Sequence, residues 1–169
     1  MLIRAIGGVA VVIVVGAIVL PSIRICGCVS DAAVAIGSLR AINSAQRAYA
    51  AACGNGGFAV DLADLAAPPS AGATGFVSPD LDHNGVIKQG YSVALTAGAG
   101  VEQSAKLAPE AACSGATHAP TVSYFAIASP IGEPAGRLHY ATDARGVIYQ
   151  SSKPIANPIA PGPDVLELR

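Results

Sequence analysis

Residues 5–23 read AIGGVAVVIVVGAIVLPSI, nineteen positions without a charge, bracketed by Arg4 and Arg24. Ten of the nineteen are Val or Ile, which leaves no polar face to set against water. As a helix the stretch would run for roughly 28 Å, enough to cross the hydrocarbon of a bilayer. It belongs in lipid or in the interior of an assembly. Three readings are open. A cleaved secretory signal would need a small-x-small exit, which Pro21-Ser22-Ile23-Arg24 supplies poorly. A lipoprotein signal would place its lipid on Cys28, with Arg24 and Cys26 awkwardly close. A retained apolar helix fits best, with Ala5, Val9, Val12, Val15, Leu20 and Pro21 along it.

Working outward, residues 29–53 carry apolar side chains at Val29, Ala33, Ile36, Leu39, Ile42, Ala45, Tyr49 and Ala52. Steps of three and four describe one face of an α-helix, with Arg40, Asn43, Ser44 and Arg47 expected on the other. Ser30 or Asp31 is placed to cap a fresh start after a break near residues 21–27. Cys53-Gly54-Asn55-Gly56-Gly57 is a strong stop. A single helical turn is expected around Asp61 to Leu65. Alternating runs at residues 91–96, 121–127, 137–142 and 147–150 predict strands, the last two joined by the turn Asp143-Ala144-Arg145-Gly146. Sequential hairpins imply an antiparallel sheet with one face covered by the amphipathic helix. The tail has four prolines in nineteen residues and is expected as an extended strap or a loose end.

The expected fold is therefore α+β. A long amino-terminal helix, apolar and then amphipathic, packs on a small antiparallel sheet. Its parts are an apolar transmembrane or filament-core helix over 1–25, an amphipathic helix over 26–53, a sheet domain over 54–150 and a Pro-rich tail over 151–169.

Composition narrows the function. The chain has 169 residues, 52% apolar and 12% charged, with a net charge of −1, so a general nucleic-acid binder with a basic stripe is excluded. Three Phe, five Tyr and no Trp provide few stacking platforms. Cys53 closes the helix and Cys113 lies in a loop between strands. A bridge between them in an oxidising space would stabilise by roughly 4 kcal/mol on the chain-entropy view. Cys26 and Cys28, two apart on a helix, point away from each other.

Asp80-Leu81-Asp82-His83-Asn84-Gly85 has the D-x-D-x-N-G form that opens a calcium loop, with Asp80, Asp82 and Asn84 as oxygen ligands. Lys88 stands at the ninth position and Tyr91 at the twelfth, where a carboxylate is wanted. A plain turn led by Asn84-Gly85 explains the same residues. His83, His118 and His139 show no metal-ligand spacing. With no Gly-x-Ser-x-Gly elbow, phosphate loop or haem attachment motif, the chain is not expected to be an enzyme, and calcium is the one cofactor worth testing.

The apolar start ending in Leu20-Pro21, the amphipathic continuation, the Gly-rich break and the final hairpins together resemble the type IV pilin and pseudopilin superfamily. Ser38-Leu39-Arg40-Ala41-Ile42-Asn43-Ser44-Ala45-Gln46-Arg47-Ala48-Tyr49 is similar to the helix of such proteins, and residues 137–150 to their last hairpin. The resemblance spans residues 1 to about 150. The family carries a glutamate near its amino terminus where this chain has Arg4 or Ala5, and it carries a leader not visible here. The resemblance implies a structural subunit of an extracellular helical filament, a homo-oligomer inserted in the cytoplasmic membrane before assembly and then displayed at the cell surface for adhesion. A membrane-anchored pseudopilin of a secretion or DNA-uptake machine, or an anchored domain that never polymerises, is the alternative. No N-x-S/T sequon is present, so any glycans would be O-linked.

Overall fold

The computed structural model describes residues 27–99, 116–132 and 136–168, with side chains from Asp31 onward. The chain divides into two units, Met1–Ser30 and Asp31–Arg169. The apolar positions Ala5, Val9, Val12, Val15, Leu20 and Pro21 lie outside the described residues, as do Cys26 and Cys113.

Helix α1 spans Gly27–Ala52. Its buried positions Ala35, Leu39, Ile42, Ala45 and Tyr49 recur at steps of three and four, so one stripe faces the domain. Each buried Leu, Ile or Tyr there removes enough apolar surface from water to stabilise by about 1.5–3 kcal/mol. The helix stops at Gly54, where a Cβ would stand 2.0 Å from the Gly57 carbonyl oxygen, so only glycine fits that return of the chain.

A short helix α2 follows at Leu62–Ala66, capped by the Asp61 carboxylate, which accepts from the Ala63 N–H. Six strands follow: β1 Val86–Lys88, β2 Tyr91–Ala97, β3 Tyr124–Pro130, β4 His139–Asp143, β5 Ile148–Ser151 and β6 Leu166–Glu167. All neighbours are antiparallel and the spatial order is the chain order.

The expected fold needs correction on two counts. The long helix of the described residues is Gly27–Ala52, and no described helix is long and apolar enough to cross a membrane. Asp31, Arg40, Arg47 and the polar residues between them dilute its apolar content. The sheet is not small either. It takes six strands, two of them unforeseen, and makes the described domain mostly sheet.

Period-two alternation sorts the sheet into two faces. Tyr91, Val93 and Leu95 of β2, with Tyr124, Ala126 and Ala128 of β3, point toward α1 and share its core. Phe125, Ala141 and Tyr149 point the other way. There the tail folds back over them through Ile155 and Ile159, 5% and 7% exposed, before it returns as β6. Asn157 pins the tail to the far end of β2, donating from Nδ2 to the Ala97 carbonyl and accepting from the Ala99 N–H. The Pro-rich segment is thus a strap over the outer face rather than a loose end.

Two amides of α1 that sequence alone would expose or leave unremarked are buried. Asn43, expected on the outer side, is 5% exposed. It donates to the Gly146 carbonyl and accepts from Tyr124 Oη (2.9 Å) and Thr142 Oγ1 (3.1 Å). Gln46 is fully buried and holds both backbone groups of Ala59, at 2.8 and 2.9 Å. A buried polar group is tolerable only when so satisfied.

Burial pushes the Tyr124 phenol up to about 12, the nearby Arg47 charge partly offsetting it. An unfolded tyrosine ionises near 10, so its folded value is the higher one. The stability tied to its proton is complete below pH 10 and disappears as pH rises toward 12, a loss of about 2–3 kcal/mol. We expect alkaline denaturation to begin in that window. Tyr124→Phe should remove a clear part of the pH dependence when unfolding is followed by circular dichroism, the rest staying with Tyr49 and Tyr140, whose phenols burial also pushes up.

Candidate functional site

The outward face of α1 presents small side chains, Ala33, Gly37, Ala41, Ser44, Ala48 and Ala51, all exposed. On one flank, Val34, Gly37 and Ala41 border a shallow groove of about 240 Å³ whose far wall is Ser78, Asp80, Leu81 and Lys88. On the other flank, Arg40 faces Val147, Ile148 and Glu167 across a cleft of about 270 Å³. Arg47 lies two helical turns on from Arg40, about 10.5 Å along the axis. Its guanidinium sits over the β4–β5 turn, where a Cβ on Gly146 (φ 74°) would meet Nη2 at 2.8 Å. Neither arginine has a carboxylate within ion-pair distance among the described residues. Most other described charges are paired: Arg137 with Asp31, Arg145 with Asp143 and Lys153 with Asp164.

The D-x-D-x-N-G string forms a 3₁₀ turn, Pro79–Leu81, and the loop into β1. Its three expected ligands are engaged in different directions. Asp80 accepts from Ser78 Oγ and from Lys88 Nζ, and these bonds hold its carboxyl below the usual carboxylate range. Asp82 lies 2.6 Å from His83 Nδ1. Asn84 exchanges two hydrogen bonds with the Leu95 backbone and donates a third to Asp61, stitching the loop to β2 and to the α2 cap. A cation would need Asn84 Oδ1 released from the Leu95 N–H and Asp80 from Lys88. Among the described residues no group of three His, Cys, Asp or Glu is placed to hold a metal ion. We therefore expect neither chelator nor millimolar calcium to move the thermal midpoint. A calcium-dependent rise of several degrees would reinstate a calcium loop.

Cys53 is disulfide-bonded. Cys113, its expected partner, lies outside the described residues.

A further cluster escaped sequence reasoning. Asp64 of α2 is 1% exposed and accepts from the Thr117 N–H, Thr117 Oγ1 and His118 Nδ1, the last at 2.8 Å. The arrangement fastens residues 116–120 to α2. An Asp–His pair invites comparison with a hydrolase, but the hydroxyl here donates to the carboxylate on the Nδ1 side. A nucleophile would have to donate to the imidazole's other nitrogen. Only the residue types, an acid inside an apolar turn and a Thr-His pair far away, could have signalled it.

The geometry defines a helix-backed antiparallel sheet domain with a strapped outer face and a helix surface carrying charge on its flanks. Comparison with family models, with curated proteins and with solved structures gives no match to this chain.

Proposed function

We propose that the chain is a structural subunit of an extracellular, type IV pilus-like filament, with residues 5–23 gathering neighbouring copies and the described domain facing outward. The observation that carries this reading is how the described domain is completed. Its own helix covers one sheet face, and its own tail covers Phe125, Ala141 and Tyr149 on the other. Nineteen uncharged apolar residues in a row call for cover from water, which lipid or other copies of the chain would supply. A head-to-tail contact between such copies that does not close produces a helical polymer. The domain's low charge and its cystine at Cys53 suit a durable structure outside the cell.

Arg4 favours a second reading. In a filament core its charge would need a partner, whereas at a membrane surface it would sit among headgroups with Arg24 at the other side. That reading is an anchored copy, either a pseudopilin of a secretion or uptake machine or a surface domain that stays single. Shearing the producing cells and identifying the pelleted fibres by peptide mass spectrometry separates the two. The filament reading expects this chain as a main component of the fibres. Retention with the membranes would favour the anchored copy.

A further inference from the structure

The two flanks of α1 carry opposite outward charge. On the Arg40 flank, both helix arginines are exposed and unpaired among the described residues, with Glu167 across the cleft as the nearest-lying acid in its lining. On the other flank two exposed carboxylates stand out, with the exposed His83 imidazole 2.6 Å from the second of them. Asp80 and Asp82 are 61% and 54% exposed, while the Lys88 side chain that pairs with Asp80 is 20% exposed and sits behind it. Between the flanks runs the ridge of Ala33, Gly37, Ala41, Ser44, Ala48 and Ala51, small enough to let another surface approach closely.

From this polarity, and resting on the filament reading, we propose that a second copy of this chain docks side by side. Its Asp80–Asp82 loop lies against Arg40 and Arg47 of its neighbour. The contact is heterologous, because each copy offers its basic flank to one neighbour and its acidic flank to the other. Where its rotation does not close a ring, such a contact repeats indefinitely, which a filament requires. Exposed opposite charges steer the approach and fix which flank meets which, while contributing modestly to affinity. The apolar stretch then holds the copies together, and the charges set their register.

The test uses two charge-reversed full-length chains, R40E/R47E and D80K/D82K, made in the producing cells and checked for folding by the thermal midpoint of the domain. The first has two acidic flanks and the second two basic ones. Each alone should lose fibres by at least tenfold relative to the unaltered chain. Expressed together they should recover them as an alternating copolymer, with both chains in each fibre. Fibres from either variant alone at the unaltered yield would overturn the docking while leaving the filament reading intact. So would a mixture that remains without fibres. Absence of fibres from the unaltered chain would overturn the filament reading itself, and the docking with it.

Discussion

Placing one carboxylate in the apolar stretch, as Val12→Asp, is expected to abolish fibres and deplete the chain from the membrane fraction. Residues 5–23 contain no charge, so the substitution introduces the first. A central aspartate raises the cost of membrane insertion by about 2.5–3.5 kcal/mol, roughly a hundredfold in the inserted population. The same carboxylate is penalised again in a filament, where every copy would bury one without a partner. Val12→Leu keeps the stretch apolar and should preserve both membrane retention and fibre yield. The described domain from Asp31 onward should unfold at the same temperature in both variants. Immunoblots of sheared and membrane fractions, with the thermal midpoint of the described domain as control, read all three. Fibres from Val12→Asp at normal yield would mean that the apolar stretch plays no part in assembly.

The second large effect concerns folding. Gln46→Ala should destabilise the domain by about 3–5 kcal/mol, because it leaves the Ala59 N–H and C=O without partners and opens space in a filled core. Gln46 has no exposed surface through which water could replace it. For a domain whose whole margin is about 5–15 kcal/mol, that is a drop in thermal midpoint of roughly 10 °C or more. Gln46→Glu should cost nearly as much. Its carboxylate can accept from the Ala59 N–H but cannot donate to the carbonyl, and it buries a charge. Exposed Ser44→Ala, two positions away, should change the midpoint little. A loss below 1 kcal/mol for Gln46→Ala, measured by denaturant unfolding, would show that Ala59 is held by other means.

Parts of this architecture are plain in the sequence and others are not, for identifiable reasons. Leu39, Ile42, Ala45 and Tyr49 announce the inner face of α1 because the helical period is enforced by burial. Asn43 and Gln46 share that face, yet periodicity cannot show it, since an amide enters a core only where distant backbone partners await it. Those partners, Gly146 and Ala59, lie 103 and 13 residues away. Strand β2 is legible from its alternation. Strand β1 is not, because three residues carry no period and its turn is made by Gln89 and Gly90 at φ 47° and 78° rather than by Asn-Gly. The strap was half legible. Prolines correctly predict extension, but Ile155 and Ile159 reveal their role only once Phe125 and Tyr149 are seen to need a cover. The expected long helix is apolar over 1–25 and amphipathic over 26–53, whereas the described helix is Gly27–Ala52 and no described helix is long and apolar enough to cross a membrane. Asp31, Arg40 and Arg47 interrupt the apolar residues of the helix that is described.

The same distinction governs the candidate site. The spacing of Asp80, Asp82 and Asn84 is a sequence property, but the direction of each side chain is set by Lys88, His83 and Leu95. The flank arginines read simply as the solvent side of a helix. Their opposition to the acidic loop across α1 emerges from where β1 and β5 place the neighbouring walls.

The central claim is that this chain polymerises through its apolar stretch. Cryo-electron microscopy of fibres sheared from the producing cells tests it most directly. The filament reading predicts helical order, density for residues 5–23 of many copies packed at the axis, and the sheet domain at the outer radius. Fibres built from another protein, or this chain found only as single copies in membranes, would contradict it.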